Sequence, residues 1–327
     1  MNYNKTIVFT IFFFFLELGL CGLARAEPLP QGNTGIAAKY PGDAGIGSDP
    51  AVIFADDFEA YSSPTGLTSR WDQAWNNANM RIASESGNFF GGSKALEMTI
   101  PKQSGEAGNV AVKNVSPKRN VLFLRYYAKY DGGFNVMGSS HNGSTIEANY
   151  CCPGVRADGY NKFFVSFEAE RYETVVPNPG NLGIYIYHPD QRDIWGDIFL
   201  PTGVVSPFTS QPFDFGPDFV SRPNVVPKLN QWYSYELMVK ANTPGQRDGR
   251  IAMWLDGKLI ADFTNLRLRE TTSLAIDKFT IGLHVKSNTL AVAKKWYDNV
   301  VAATSYIGPV VSVGSSVKAP TNLRFVP

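Results

Sequence analysis

The sequence has little cysteine, little histidine and almost no net charge, and each shortage excludes a class of protein. Its 327 residues include three Cys and three His, and 30 Lys and Arg are balanced by 29 Asp and Glu. This is too little cysteine for a disulfide scaffold or a four-cysteine zinc site. The balanced charge argues against a nucleic-acid-binding protein, which needs a basic field. The sequence also has no phosphate-binding glycine loop, Gly-x-Ser-x-Gly motif or zinc motif.

Long apolar runs are also missing, except at the start of the chain. Residues 7–20 (IVFTIFFFFLELGL) follow Lys5 and precede the small-x-small sequence Ala24-Arg25-Ala26. This order is typical of a secretory signal peptide, and the apolar run is short for a bilayer span. We therefore predict a signal peptide over residues 1–26 and a secreted or periplasmic mature protein without a membrane span. A membrane anchor is the alternative.

Helical patterns are scarce, whereas short runs rich in Val, Ile, Phe and Tyr are frequent. The predicted strands are residues 51–58, 80–84, 95–100, 109–115, 121–130, 161–170, 182–188, 232–242, 250–256, 258–262, 279–286 and 295–304. Asp256-Gly257 predicts a hairpin turn between two of them, and residues 67–78 predict one or two helical turns. We expect one all-β domain over residues 51–306, built from two antiparallel sheets packed face to face. An extended segment, residues 27–50, precedes it, and a tail, residues 307–327, follows.

Alternation along three of these runs predicts strands with one apolar and one polar face. The polar positions are Arg125, Tyr127, Lys129, Glu236, Lys240, Asn242, His284 and Lys286. If these faces belong to one sheet, they form the floor of a locally basic groove. Such a groove would suit an acidic polysaccharide.

Residues 232–308 resemble the C-terminal half of the jelly-roll polysaccharide lyases of families fourteen and twenty, the alginate and glucuronan lyases. The matching residues are Lys240, Asn242, Pro244, Gly245, Asp248, Gly249, Trp254, Asp256, Gly257, Lys258, Leu266, Leu268 and Arg269. Residues 51–60 (AVIFADDFEA) are similar to the opening strand of concanavalin-like jelly rolls. The resemblance implies a concanavalin-like β-jelly roll that acts on a polysaccharide. The double glycine of such lyases is missing where His284 and Lys286 stand, so it implies no catalytic set.

β-Elimination from a uronic acid needs a base, a group that neutralises the carboxylate and an acid for the leaving oxygen. Our candidate for the base is His141 or one tyrosine of the pair Tyr185 and Tyr187. Arg125 or Lys240 would meet the carboxylate. The predicted substrate-binding residues are Tyr127, His188, Glu236, Asn242, His284 and Lys286.

Two further features allow alternatives. Glu168 and Glu170 share one face of a strand, as a glycosidase requires, but the rest of the usual glycosidase pattern is missing. The adjacent Cys151 and Cys152 could form a vicinal disulfide or remain thiols.

The sequence as a whole predicts an exported, monomeric jelly-roll protein that recognises an acidic polysaccharide and cleaves it by β-elimination. The alternatives are a non-catalytic carbohydrate-binding or cell-surface jelly roll, and a structural envelope protein. We expect no required cofactor, although Asp56, Asp57 and Glu59 could hold a structural Ca²⁺.

Overall fold

The computed structural model describes residues 27–138, 140–206 and 213–312. The predicted signal peptide and most of the predicted C-terminal tail lie outside these ranges. Within them, no helix is long and apolar enough to cross a membrane.

Seventeen strands and five short 3₁₀ helices make up the described chain. Strands β1 to β17 are Val52–Asp56, Gln73–Trp75, Met80–Ala83, Ala95–Ile100, Ala107–Arg119, Val121–Tyr130, Ser140–His141, Ser144–Ala148, Phe163–Glu170, Asn181–Tyr187, Asp197–Phe199, Val205–Ser206, Tyr233–Lys240, Gly249–Leu255, Lys258–Leu266, Ile276–Val285 and Ala293–Ala303. All twelve predicted runs contain a strand, and the short strands β2, β7, β8, β11 and β12 were not predicted. The 3₁₀ helices are Ile36–Lys39, Pro41–Asp43, Ile46–Ser48, Pro64–Ser69 and Asn77–Asn79.

The strands form two antiparallel sheets. The first sheet has the order β15-β14-β13-β6-β17-β4-β3, with β1 paired to β17. The second sheet has the order β12-β11-β10-β9-β8-β16-β5-β2, with β7 paired to β16. The predicted hairpin turn joins β14 to β15, and both of its residues, Asp256 and Gly257, have positive φ. The all-β sandwich expected from the sequence is confirmed.

The inner faces of the two sheets meet in one apolar core. Leu122, Leu124 and Tyr126 of β6 and Val165 and Phe167 of β9 are all buried in it. Successive side chains of a strand point to opposite faces, so the residues between them point outward. The alternation read from the sequence therefore identifies the inner and outer positions of these strands.

One charged residue lies inside the core, where it connects the two sheets. The Lys295 ammonium donates to the Tyr130 hydroxyl at 3.0 Å and to the backbone oxygen of Asn142. Tyr130 in turn donates to Asn142 Oδ1 at 2.7 Å. The Asn142 side chain also pairs with the backbone N–H and C=O of Ala169. This network fixes the chain after β7 against β9.

The outer face of the first sheet is covered by the chain itself, and we call it the covered face. Ile36, Ile46 and Ile307 pack there against Phe123 and Trp254. The predicted extended segment, residues 27–50, therefore lies on the sandwich and contains three 3₁₀ turns. The first residues of the predicted tail pack beside it, because the backbone N–H of Gly42 donates to Val311 at 2.8 Å.

Candidate active site

The outer face of the second sheet carries a cluster of titratable side chains, and we call it the site face. On β9, Val165, Phe167 and Ala169 belong to the core. Ser166, Glu168 and Glu170 therefore point outward. Strand β7 brings His141 beside them. Strand β10 contributes Tyr185 and Tyr187, because Ile184 and Ile186, which alternate with these tyrosines, point into the core.

His141 and Glu168 form the centre of the cluster. Nδ1 of His141 lies 3.0 Å from Oε2 and 3.3 Å from Oε1 of Glu168. Burial lowers the pKa of His141, and the charges of Glu170 and Glu106 oppose this shift. A neutral imidazole that donates from Nδ1 to a carboxylate carries its lone pair on Nε2. This is the arrangement of a general base held in one tautomer by a carboxylate.

Glu168 and Glu170 together hold one proton at neutral pH, and Glu170 carries it. Burial raises the pKa of Glu168 to about 7, and its hydrogen bonds with Glu170 and Ser166 act in the opposite direction. Burial and, next, the charge of Glu168 raise the pKa of Glu170 well above its usual value. Two neighbouring buried carboxyl groups cannot both ionise easily. Glu170 Oε2 is buried without a hydrogen-bond partner.

Tyr185 lies against His141, with 4.9 Å between the ring centroids. Burial raises its pKa, so the phenol keeps its proton. Its hydroxyl accepts from the backbone N–H of Gly196 at 3.0 Å and donates to the Tyr187 hydroxyl at 3.3 Å. Tyr187 is only 1% exposed, and it packs below Tyr185 as a support for it.

His284 stacks on the other side of His141, with 5.4 Å between the ring centroids. Its Nε2 lies 2.7 Å from Oε1 of the exposed Glu106. Burial, together with the neighbouring His141, lowers the pKa of His284. Four of the predicted site residues, His141, Tyr185, Tyr187 and His284, are therefore brought together by the second sheet.

The covered face carries Arg125, Tyr127 and Glu236. The prediction that these residues share a groove with His284 is therefore wrong. The Arg125 guanidinium is fully buried and pairs with Asp43 at 2.6 Å. Tyr127 OH accepts from the backbone N–H of Val310 at 2.9 Å. Glu236 accepts from the N–H groups of Ile307 and Gly308 at 2.8 and 2.9 Å. The terminal segments occupy the positions that a substrate would need.

The other predicted residues also lie away from His141. Lys240 is exposed at the end of β13 in the first sheet, and Asn242 is buried beyond it, where it binds the backbone of the 243–269 region. His188 points into the interior and lies 3.0 Å from Asp197. Lys286 is exposed just after β16. The predicted basic groove does not exist, because its cations are divided between two sheets and the site face carries carboxyl groups.

Glu168 and Glu170 are the site residues that sequence reasoning did not select. Their signal was present in the alternation of β9, where apolar residues are followed by Ser166, Glu168 and Glu170. In the sequence, the missing glycosidase pattern argues against a catalytic role for the two glutamates. Nothing in the sequence indicates that the His141 side chain meets Glu168 of this strand.

Two of the carboxylates considered for calcium are hydrogen-bonded to the chain around them. Asp56 accepts from the backbone N–H of Phe58, from Tyr61 OH and from the Trp71 indole. Glu59 accepts from Ser93 and from the backbone N–H of Lys94. No group of three metal-ligating side chains occurs among residues 27–138, 140–206 and 213–312.

The two cysteines are free thiols on a loop beside the site face. Sγ of Cys152 donates to Sγ of Cys151 at 2.6 Å. Their backbone oxygens accept from Lys162, whose ammonium lies over the Tyr150 and Tyr187 rings. Lys162 therefore connects the cysteine loop to Tyr187, which packs against Tyr185.

Comparison with known proteins reveals a shared fold. No protein-family model and no curated protein sequence matches the chain. Among solved structures, alginate lyase Aly36B in complex with an alginate tetrasaccharide is similar, with a TM-score of 0.56 and 17% identity over 78% of this chain and 98% of that one. Alginate lyase vAL-1 from Chlorella virus has a TM-score of 0.53 and 16% identity over 78% and 100%. The endo-β-1,4-glucuronan lyase of Trichoderma reesei has a TM-score of 0.51 and 18% identity over 78% and 96%. The chain therefore has the β-jelly-roll sandwich fold of these polysaccharide lyases.

Proposed function

We propose that the protein is a polysaccharide lyase that cleaves a uronic-acid polymer on its site face by β-elimination. The observation that carries this proposal is the contact of His141 with Tyr185, beside the Glu168 carboxylate and the protonated Glu170. A base, an acid and a neutral hydrogen-bond donor then stand on one face. The similar fold of the alginate and glucuronan lyases supports the same substrate class.

His141 is the base in this proposal. Its Nε2 removes the proton from C5 of the uronate, and Glu168 stabilises the imidazolium that forms. The electrons of the C5–H bond form the C4=C5 double bond, and the C4–O bond breaks. Tyr185, which keeps its proton because of its raised pKa, donates that proton to the leaving oxygen. His141 then returns a proton to Tyr185 through solvent.

Glu170 replaces the cation that sequence reasoning sought in Arg125 or Lys240. Two ionised carboxylates would repel a uronate, whereas a protonated carboxyl group donates a hydrogen bond to it. Burial keeps Glu170 protonated, and Oε2 is the atom without a partner. Such donation stabilises the charge that develops on the substrate carboxylate as C5 loses its proton.

The geometry also selects the stereochemistry. The rings of His141 and Tyr185 are in contact, so base and acid act from the same side of the sugar. This is a syn elimination, which requires the C5 proton and the C4 oxygen on the same side of the ring. β-Mannuronate and β-glucuronate meet this condition, and α-guluronate does not.

The test is the ultraviolet absorbance of the unsaturated product with polymannuronate, glucuronan and polyguluronate. We expect an absorbance rise with one of the first two polymers and none with polyguluronate. Tyr185→Phe should lower kcat about 100-fold. Tyr187→Phe is the matched control, because its hydroxyl supports Tyr185 without reaching the face, and it should lower kcat much less. A preference for polyguluronate, or equal effects of the two variants, would contradict the assignment.

A second candidate is hydrolysis of a glycosidic bond by Glu168 and Glu170, because two carboxyl groups on one strand with raised pKa values can act as acid and base. Glu170→Gln separates the two reactions. A glutamine amide still donates a hydrogen bond to a uronate, so a lyase retains much of its activity, whereas a hydrolase loses its acid. New reducing ends without ultraviolet absorbance, lost in Glu170→Gln, would establish hydrolysis.

A further inference from the structure

The strand register places an exposed tryptophan on the same cross-strand row as Glu168. Trp75 of β2 is opposite Val110 of β5, and Val110 is opposite Gly282 of β16. The N–H of Gly282 donates to the oxygen of Gly143 at 2.8 Å. Ser144 is opposite Phe167, so Gly143 comes opposite Glu168. All these positions alternate with core residues and therefore lie on the site face.

The row between Glu168 and Trp75 forms a trough, which we define by Gly143, Gly282 and Val110. The two glycines have no side chains, whereas the rows on either side carry polar ones. On one side the His141 and His284 rings stack. On the other side the Thr145 and Thr280 hydroxyls are hydrogen-bonded to each other at 2.7 Å. The floor is therefore low, and the rows beside it carry imidazole and hydroxyl side chains.

The trough is open in one direction only. Past Glu168 the row continues to Gly183 of β10. There Leu200 stands 3.1 Å from the place where a Cβ of residue 183 would be. The hydrogen bond from the Gly196 N–H to the Tyr185 hydroxyl lies beside Leu200. A chain bound at Glu168 thus has room to continue towards Trp75.

Trp75 is held in a fixed orientation although it is 60% exposed. Its indole N–H donates to Gln73 Oε1 at 2.7 Å. The next residue, Asn76, donates to the backbone oxygen of Gly108 at 2.6 Å, which anchors the end of β2 to β5. An aromatic ring with an exposed apolar surface and a fixed edge is suited to stack on a planar or apolar ligand surface.

The site face also carries a buried carboxyl atom without a hydrogen-bond partner. Glu170 is 4% exposed, and its Oε2 has no hydrogen-bond partner. Leaving a buried polar atom unpaired is unfavourable, and such atoms in a folded protein commonly meet a ligand or water. Glu170 lies two residues along β9 from Glu168, at the closed end of the trough.

We propose that the trough binds a polysaccharide chain that crosses the strands, with one sugar ring stacked on Trp75. This inference rests on the proposed function and adds a specific subsite to it. The row from β9 to β2 crosses four strand spacings, or about 19 Å. A pyranose ring in a polymer is about as long as one spacing, so Trp75 meets the sugar about four rings from the reacting one.

The experiment measures steady-state cleavage of polymer and of oligosaccharides of increasing length by wild type, Trp75→Ala and Trp75→Phe. Trp75→Ala should raise KM for the polymer roughly 3- to 10-fold. Its kcat should stay unchanged, and short oligosaccharides that end before Trp75 should be cleaved as by wild type. Trp75→Phe keeps a ring and should restore most of the affinity. Trp232→Ala is the matched control, because Trp232 lies on the other sheet, near Phe90 and Lys129.

The outcomes distinguish this inference from the proposed function. If wild type cleaves the polymer and the KM of Trp75→Ala equals that of Trp232→Ala, the subsite is wrong and the lyase stands. If wild type cleaves nothing, polymer binding is measured by isothermal titration calorimetry. Binding that is lost in Trp75→Ala supports the trough and rejects the lyase. Binding that survives in Trp75→Ala, or no binding to any of the three polymers, overturns the subsite.

Discussion

The two outer faces of the sandwich carry buried glutamates with the same shifted pKa and different surroundings. Burial raises the pKa of both Glu168 and Glu236 to about 7. Glu236 is satisfied by two backbone N–H groups from the chain that covers it. Glu168 faces an ionisable histidine, and the neighbouring Glu170 keeps an unpaired oxygen. A raised pKa therefore reports burial, and it does not by itself separate a structural carboxyl group from a catalytic one.

His141→Ala should have the largest effect, because it removes the base from the site face. We expect kcat/KM to fall about 10²- to 10⁴-fold, with little change in the melting temperature, because the side chain is 30% exposed. Lys240→Ala, an exposed residue of the first sheet, serves as the control and should leave both quantities unchanged. Comparable activity losses in the two variants would remove the distinction between the faces.

Arg125→Ala tests the covered face. It leaves Asp43 buried without its partner, so we expect the free energy of unfolding to fall by about 3–5 kcal/mol. Chemical denaturation measures this change. The activity per folded molecule should remain that of wild type, since the guanidinium lies on the other side of the sandwich from His141.

Lys39→Ala is the matched control for that experiment, because Lys39 also pairs with an aspartate, Asp49, but is 68% exposed. Removing the Lys39 side chain should lower the free energy of unfolding by only about 0–1 kcal/mol. A large loss of activity in folded Arg125→Ala would show that the covered face takes part in the reaction.

The pH dependence of stability should show the smallest effect, and it should be similar on both faces. A carboxyl group with a folded-state pKa raised from 4.5 to about 7 holds a proton that the unfolded chain has lost. Stability should therefore fall as the pH rises through this window. Glu168→Gln and Glu236→Gln should each remove roughly 1–3 kcal/mol of that fall, measured by denaturation at several pH values.

Activity then separates these two variants. Glu168→Gln weakens the partner of the base and should lower kcat, whereas Glu236→Gln should leave it unchanged in the folded fraction. Equal kcat values in the two variants would show that Glu168 is as structural as Glu236.

The sequence predicts where the strands lie along the chain, but it does not predict which strands pair with each other in the sheets. The boundaries of β6 follow directly from the run of β-forming residues between Asn120 and Asp131. Alternation also identifies the inward side chains of β6, β13 and β16. Partner choice is different, because β6 pairs with β13 and β17, which are more than a hundred residues away. No local pattern reports such pairing.

The errors in the predicted site follow from this limit. Arg125 and His284 both stand on polar strand faces, but one strand belongs to each sheet, so the two side chains lie on opposite sides of the core. The short strand β7, which positions His141, consists of two residues and has no periodicity to detect. Glu236 looked like a groove residue because no local signal predicts that Ile307 and Gly308 return to cover it.

The packing of both terminal segments on one sheet determines how the protein can be handled. Residues near Gly32 and near Val311 are each bonded to that sheet or to each other's segment. The covered face therefore lies on the side of the sandwich opposite His141. Coupling the protein to a solid support through an exposed residue of the covered face, such as Lys39, should leave the site face turned outward, within reach of polymers too large to diffuse around an obstructed particle.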